Sequence, residues 1–468
     1  MGTAARVAGA VVLTLVVGAG GYVAADAYDV VPGLLTLEPE PSPAEPFPTI
    51  PAAVAAPDVV PVVAALDPAA PVPAADSVTA IAQALVADPR MGASTGVVVQ
   101  DVLTGQVLTD LGGTTPHVPA STAKLLTGLA AMTALGPDRT LSTTVVQLEP
   151  GRVVLVGGGD MMLGAGAGVP DAVSGRAGLV DLAAQTARSL RLAGVEQVEL
   201  AVDDTLFSGP SIHPQWVPSD VAAGFVAPVA ALAIDVAKMR EGEYPPRYQD
   251  PAMQTAQTFA TVLADQGITV TGTPTRADAP AGALELGRVE SAPVREVVRY
   301  AMQVSDNSIT EVLGRLVAVE HGLPGSFEGA TAAVLAELGR QGLDTTGAVL
   351  SDCSGLSKGS ALPASLLVGL VAAAADPANP QLLPVLLDLP ISGWQGTLSD
   401  RFEDGPAEGL VRAKTGSLPG VTSLAGTVQT SGGRLLAFAV LADATPPGGQ
   451  PGPRAAIDSF VQQVAGLV

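Results

Sequence analysis

The chain has 468 residues, 48% of them hydrophobic, which is enough for more than one buried core because single cores stop growing well before this length. Its formal net charge of −22 argues against a nucleic-acid partner, since neutralising phosphates takes clustered Lys and Arg. A single cysteine, Cys353, leaves no intramolecular disulfide, and three histidines without an H-E-x-x-H pattern argue against a zinc hydrolase.

From Val7 to Ala25 the chain is uncharged, rich in Val, Ala, Leu and Gly, and preceded by Arg6. That length lies between a long signal-peptide core and a short membrane span, and Ala25-Asp26-Ala27 offers a small-residue cleavage site. Residues 1–26 are therefore expected to be a signal peptide or a membrane anchor, and the remainder to be exported to the cell envelope. Prolines then recur from Pro32 to Pro73 among Ala, Val and Glu, the composition of a semi-extended tether, so residues 27–75 read as a linker.

Between Ser77 and Asp110 an amphipathic pattern (Val78, Ile81, Leu85) precedes an apolar run, Gly96 to Asp101, and a turn at Thr104-Gly105, predicting helix, strand, turn and strand. Next comes Pro119-Ala120-Ser121-Thr122-Ala123-Lys124, continuing into apolar residues at 125, 129 and 132 with a stop at Gly136-Pro137. Ser121 is expected to open a buried helix. Three residues are just under one turn, so Lys124 falls beside Ser121 on the same face, a nucleophile next to a base.

Residues 147–290 carry their own strand-like and helix-like runs: Val153 to Val156, Leu179 to Leu192 and Val198 to Val202. They are expected to form one or more smaller inserted domains between a first catalytic segment, 76–146, and a second, 291–468. Gly157-Gly158-Gly159-Asp160 follows a strand but lacks a Gly-Lys-Ser/Thr continuation, and reads as a tight turn.

Ser305-Asp306-Asn307 stands between two amphipathic stretches and reads as a polar corner between helices. Gly355-Leu356-Ser357-Lys358-Gly359 matches a nucleophile elbow in form, but no histidine follows Ser357 to complete that mechanism. Cys353 is read as a buried small residue, with no histidine near it in sequence. Lys414-Thr415-Gly416 begins an apolar run interleaved with Ser and Thr, and Gly432-Gly433 separates it from Leu435 to Val440 as a hairpin would.

S-x-x-K, S-D-N and K-T-G together, in this order, are the signature of serine enzymes that react with penicillins. With Gly157 to Asp160, Asp352 to Ser357, Gly393-Trp394-Gln395-Gly396-Thr397-Leu398 and Ala413 to Leu418, the chain from about Asp76 onward resembles the D-alanyl-D-alanine carboxypeptidases/endopeptidases among the low-molecular-mass class C penicillin-binding proteins. The resemblance implies an α/β (α+β) fold of the penicillin-binding-protein/serine β-lactamase-like transpeptidase type, an antiparallel sheet flanked by helices with an inserted smaller domain or domains. It also implies a serine peptidase that releases the terminal D-Ala of peptidoglycan stem peptides through a Ser121 ester, is acylated by β-lactams, and uses no metal or organic cofactor.

For that chemistry Lys124 needs a proton affinity far below that of a free lysine, which burial and the neighbouring Lys414 ammonium would both provide. Ser305 and Asn307 are expected to complete the network around Lys124, with Ser305 relaying the proton to the leaving amine and Asp306 pointing away. By resemblance the backbone N–H groups of Ser121 and Ser417 hold the oxyanion, Gly416 lets the strand approach the substrate, and Thr415 and Ser417, helped by Lys414, hold the terminal carboxylate. A serine β-lactamase is the competing enzyme, disfavoured because no Glu-x-x-Leu-Asn pattern lies between the first two motifs. A sensing module that binds β-lactams or peptidoglycan without turnover is the non-enzyme alternative.

Overall fold

The computed structural model describes residues 20–26, 28, 30 and 66–468. Residues 20–26 are helical. The rest of the expected leader and most of the proline-rich tether lie outside the described residues. Among the described residues no helix is long and apolar enough to cross a membrane.

Residues 66–468 build two five-stranded sheets. In the first, the strands run in the order Val411–Leu418, Val421–Gln429, Leu435–Ala442, Thr95–Asp101, Val107–Leu111, and every neighbouring pair is antiparallel. Gly420 and Gly433, both at positive φ, turn the chain between the first three strands, and the hairpin expected at Gly432-Gly433 is present. The helix, strand, turn and strand expected from residue 77 to 110 are also present, with the helix at Ala75–Val86.

Successive strand side chains point to opposite faces, and the apolar residues use that period to make two cores. Val97, Val99, Leu436, Phe438 and Val440 pack against the Ala75–Val86 helix and the last helix, Pro451–Ala465, through Val78, Leu85, Ile457 and Phe460. Val98, Ala437, Ala439 and Leu441 face the other way, onto a helical layer that includes Leu125, Leu129, Val298, Leu313 and Leu367. The result is the expected antiparallel sheet with helices on both faces. At the heart of the helical layer runs the Lys124–Ala134 helix, where the Met302 methyl packs onto Gly128, close against the place where a Cβ would stand.

The second sheet draws all its strands from residues 142–290, in the order Glu285–Glu290, Ser142–Glu149, Arg152–Gly157, Gln197–Asp203, Thr269–Arg276. Its first two pairings are antiparallel and its last two parallel. The Leu179–Leu192 and Pro251–Asp265 helices bury Leu182, Ala183, Phe259 and Leu263 in a core of its own. Asp250 caps the second of these helices by accepting from Met253 N, and Pro251 occupies its first turn. The Gly157 to Asp160 run bends the chain out of this sheet into a short strand, Asp160–Leu163, of a separate two-stranded sheet: Gly159 has φ +102, and a Cβ on Gly158 would overlap the Ser142 carbonyl oxygen.

One buried ion pair ties the first sheet together. Arg434 Nε and Nη2 donate to the two carboxylate oxygens of Asp101 at 2.6 and 2.7 Å, with both side chains almost fully buried. Asp101 also accepts from the Thr104 backbone N–H and hydroxyl, and Arg434 Nη1 donates to the Ala70 carbonyl at 3.2 Å. Asp101→Ala would strand a buried guanidinium, and is expected to lower unfolding free energy by about 3–5 kcal/mol, measured as a shift in the urea midpoint.

Candidate active site

The segment leading to Ser121 is pinned from the sheet. Asp443, just past the Leu435–Ala442 strand, accepts from Val118 N at 3.0 Å and contacts His117 Nδ1 at 3.2 Å. Ala120 then takes a left-handed conformation, φ +48, and the chain enters a single 3₁₀ turn over Ala120–Ala123 before the α-helix starts at Lys124. Ser121 therefore does not open the α-helix, as the sequence pattern suggested, but sits in the tighter turn ahead of it. Two hydroxyls enforce that turn: Thr122 and Ser423 both donate to the Pro119 carbonyl, at 2.7 and 2.6 Å.

Lys124 is fully buried, and its Nζ has three partners: Ser121 Oγ at 3.0 Å, Asn307 Oδ1 at 2.6 Å and the Ser354 carbonyl at 2.7 Å. An ammonium has three N–H donors, so this set satisfies it completely. Burial lowers its pKa from the ordinary 10.5 to about 8, against the charges of Asp352, Glu311 and Asp306, which pull it up. The Lys414 ammonium, expected to help lower Lys124, is not among these causes. The repulsion falls on Lys414, which burial and then Lys124 push well below its ordinary value.

Ser305 ends one helix, Val294–Val304, in the left-handed region at φ +57, and Asn307 opens the next, Asn307–Glu320. Asp306 caps that second helix by accepting from Ile309 N at 2.9 Å, which turns its carboxylate away from Ser121 as expected. The corner is split between the two lysines. Asn307 bonds Lys124, whereas Ser305 Oγ accepts from Lys414 Nζ at 2.9 Å and does not join the Lys124 network as the sequence reading had it. Lys414 Nζ also donates to the Thr415 carbonyl at 3.0 Å.

The remaining predicted residues lie on the edge strand Val411–Leu418. Thr415 Oγ1 donates to Thr397 Oγ1 at 2.9 Å, and Ser417 lines the same cleft. Gly416 is buried against the nucleophile turn, where an added Cβ would stand 2.6 Å from the Pro119 carbonyl oxygen and closer still to Ser423 Oγ. The cleft, of about 1080 Å³, is lined by Ser121, Ser305, Asn307, Thr397, Thr415 and Ser417 among others, so the three motifs converge on one space.

Sequence reasoning missed the support beneath Lys124. Glu311, one turn after Asn307, is fully buried, and its two oxygens accept from Ser354 N at 2.8 Å and Cys353 N at 3.1 Å. That holds the Ser354 carbonyl against Lys124. Burial and then Asp352 raise Glu311 to about 8. Asp352 gathers Gly355 N, Ser357 N and Trp216 Nε1 at 2.7–2.8 Å. The local pattern gives no signal for Glu311, which falls opposite the apolar stripe of Ile309, Val312, Leu313 and Leu316, on the same side as Arg315. Phe225 was also missed: its carbonyl, from within residues 147–290, accepts from Asn307 Nδ2 at 2.9 Å.

The decoys fall away from this cleft. Ser357 is buried, bonded to Gln215 Oε1 and Ser351 Oγ, both at 3.0 Å. Cys353 is buried, and desolvation raises its thiol well above the ordinary value, the opposite of a reactive thiolate. Among the described residues no group of three or more His, Cys, Asp or Glu side chains is placed to hold a metal ion.

Fold and cleft together define a protein of the penicillin-binding-protein/serine β-lactamase-like class. The solved structure of penicillin binding protein 4 from Haemophilus influenzae superposes with a TM-score of 0.67 at 23% identity, over 81% of this chain and 97% of that one. Residues 78–246 and 243–464 match the D-Ala-D-Ala carboxypeptidase 3 (S13) family, and the chain belongs to that family. Among curated relatives, a carboxypeptidase of Mycobacterium tuberculosis is 40% identical, with 81% of this chain and 82% of that protein covered. The carboxypeptidase DacB of Mycolicibacterium smegmatis is 38% identical over 88% of each. A D-alanyl-D-alanine carboxypeptidase of an Actinomadura strain is 28% identical over 76% of this chain and 79% of its own length. Membership makes the chain a peptidase of the penicillin-binding carboxypeptidase type.

The fit around Gly416 is testable on its own. Gly416→Ala is expected to push the edge strand off the nucleophile turn and to cost about 1–3 kcal/mol of stability, read as a lowered thermal midpoint.

Proposed function

We propose that Ser121 attacks the carbonyl joining the last two D-alanines of a peptidoglycan stem peptide, releasing free D-alanine and leaving a Ser121 ester that water then hydrolyses. The observation that carries this reading is the 3.0 Å approach of Lys124 Nζ to Ser121 Oγ, with Lys124 buried and lowered to about 8. Once deprotonated, Lys124 can accept the Ser121 proton as the hydroxyl attacks. Asn307 and the Ser354 carbonyl keep the amine on that side of the cleft. Lys124 then hands that proton on to the departing amine nitrogen, with Ser305, held by Lys414, on the other side of the cleft, so the proton lost by Ser121 leaves with D-alanine and Lys124 is neutral again. The backbone N–H groups of Ser121 and Ser417 receive the oxyanion, and the hydroxyls of Thr415 and Ser417 take the substrate's carboxylate. In the second half Lys124 takes a proton from the incoming water and passes it to the Ser121 oxygen as the ester breaks. A β-lactam, a cyclic amide bearing a carboxylate, enters by the same route and stays as the ester. Cutting of D-alanyl cross-links between stem peptides needs only a longer group on the leaving side, and belongs to the same reading.

Residues 147–290 act as an insertion within the catalytic domain, and the Phe225 carbonyl on Asn307 lets that insertion brace the cleft. Residues 1–26 serve for export or anchoring of the enzyme outside the cytoplasm, with 27–75 as spacer.

Ser121→Ala is expected to reduce D-alanine release from a D-Ala-D-Ala peptide by at least about 10³-fold and to abolish labelling by a fluorescent penicillin. Unchanged release would remove Ser121 from the reaction, and rapid loss of the penicillin label from the unaltered chain would favour a β-lactamase. The pH dependence follows from Lys124, whose neutral form is the reactive one. The second-order rate of penicillin acylation should rise with pH, about tenfold per unit well below the pKa, and level off above about 8. A rate independent of pH between 6 and 9 would rule out a lysine base of this kind.

A further inference from the structure

A carboxylate entering the cleft has to exchange water for partners of comparable strength, and two neutral hydroxyls are poor compensation for a full charge. Lys414 is badly placed to supply the missing charge. It is fully buried, its Nζ is already spent on Ser305 Oγ and the Thr415 carbonyl, and burial together with Lys124 disfavours its ammonium form.

Another cation lies on the open side of the same cleft. Arg454, in the first turn of the Pro451–Ala465 helix, lines the space shared by Ser121, Thr415 and Ser417, and its Nη2 is 3.4 Å from Ser417 Oγ. The side chain is exposed and makes no ion pair among the described residues. Asp458, one helical turn on, is the acid that a helix pairing would give it. Asp458 is instead taken by Arg401, whose Nε and Nη2 both bond it. A guanidinium stays charged at any working pH and offers a planar fork that matches a carboxylate.

We propose that Arg454 is a substrate-binding residue that supplies the charged half of the site for the C-terminal carboxylate, beside the hydroxyls of Thr415 and Ser417. This rests on the reading that the cleft takes a peptide ending in D-Ala-D-Ala. Arg454 thereby makes the enzyme prefer a free terminal carboxylate over an amidated end.

The test compares Nα,Nε-diacetyl-L-Lys-D-Ala-D-Ala with its C-terminal carboxamide, following release of D-alanine or D-alaninamide by the full chain, by Arg454→Ala and by Arg454→Lys. Arg454→Ala should lower kcat/KM for the acid by about tenfold, leave the carboxamide within about twofold, and so shrink the preference for the acid. Arg454→Lys should recover part of the loss. An acid preference that survives unchanged in Arg454→Ala would overturn the assignment while leaving the carboxypeptidase reading intact. No acid preference in the unaltered chain would likewise overturn the assignment alone, whereas release that persists in Ser121→Ala would overturn both. Because the side chain is exposed, thermal midpoints of the variants are expected to match the parent, and a loss confined to the acid substrate separates binding from misfolding.

Discussion

Burial of the Lys124 amine is the constraint on which the rest of the cleft depends. A lysine surrounded by water holds its proton and cannot take one from a serine. Here the amine is sealed under the nucleophile turn with three oxygen partners and no water-exposed surface, which lowers it to about 8 without leaving it unpartnered. Desolvation alone would carry it lower. The charges of Asp352, Glu311 and Asp306 hold it in a range where both protonation states are accessible near neutral pH.

Meeting that constraint takes contributions from distant parts of the chain. The turn with Ser121 and Lys124 comes early, Asn307 opens a helix nearly two hundred residues later, and the Ser354 carbonyl sits on a loop held by Glu311 and Asp352. The edge strand with Lys414 closes the other side and presents Ser305 with a second amine. The two lysines thus divide the S-D-N corner, one taking Asn307 and the other Ser305, so each amine is oriented by its own side chain. The segment near Phe225, a loop outside both five-stranded sheets whose neighbours Val226 and Ala227 pack in the main helical core, adds a backbone acceptor to Asn307.

Much of this was legible in the sequence because local rules and short motifs carry it. The apolar runs around Val98 and Phe438, the helix from residue 77, the hairpin at Gly432-Gly433 and the S-x-x-K spacing each translate into geometry with few alternatives. What escaped reading depends on contacts between residues far apart in the chain. Nothing local says that Ala120 adopts a left-handed φ and turns the start of the helix into a 3₁₀ turn; the tie from Ser423 to the Pro119 carbonyl does. The choice of Ser305 for Lys414 over Lys124 is set by where the edge strand lies, and the burial of Glu311 by the return of the Asp352 loop beneath it.

Direct titration of Lys124 tests the central claim most closely. With ¹³C-labelled lysine in the full chain, the Cε resonance of Lys124, assigned by its loss in Lys124→Arg, should move through a midpoint near 8. A midpoint near the ordinary lysine value of about 10.5, in a folded chain that still binds penicillin, would contradict it.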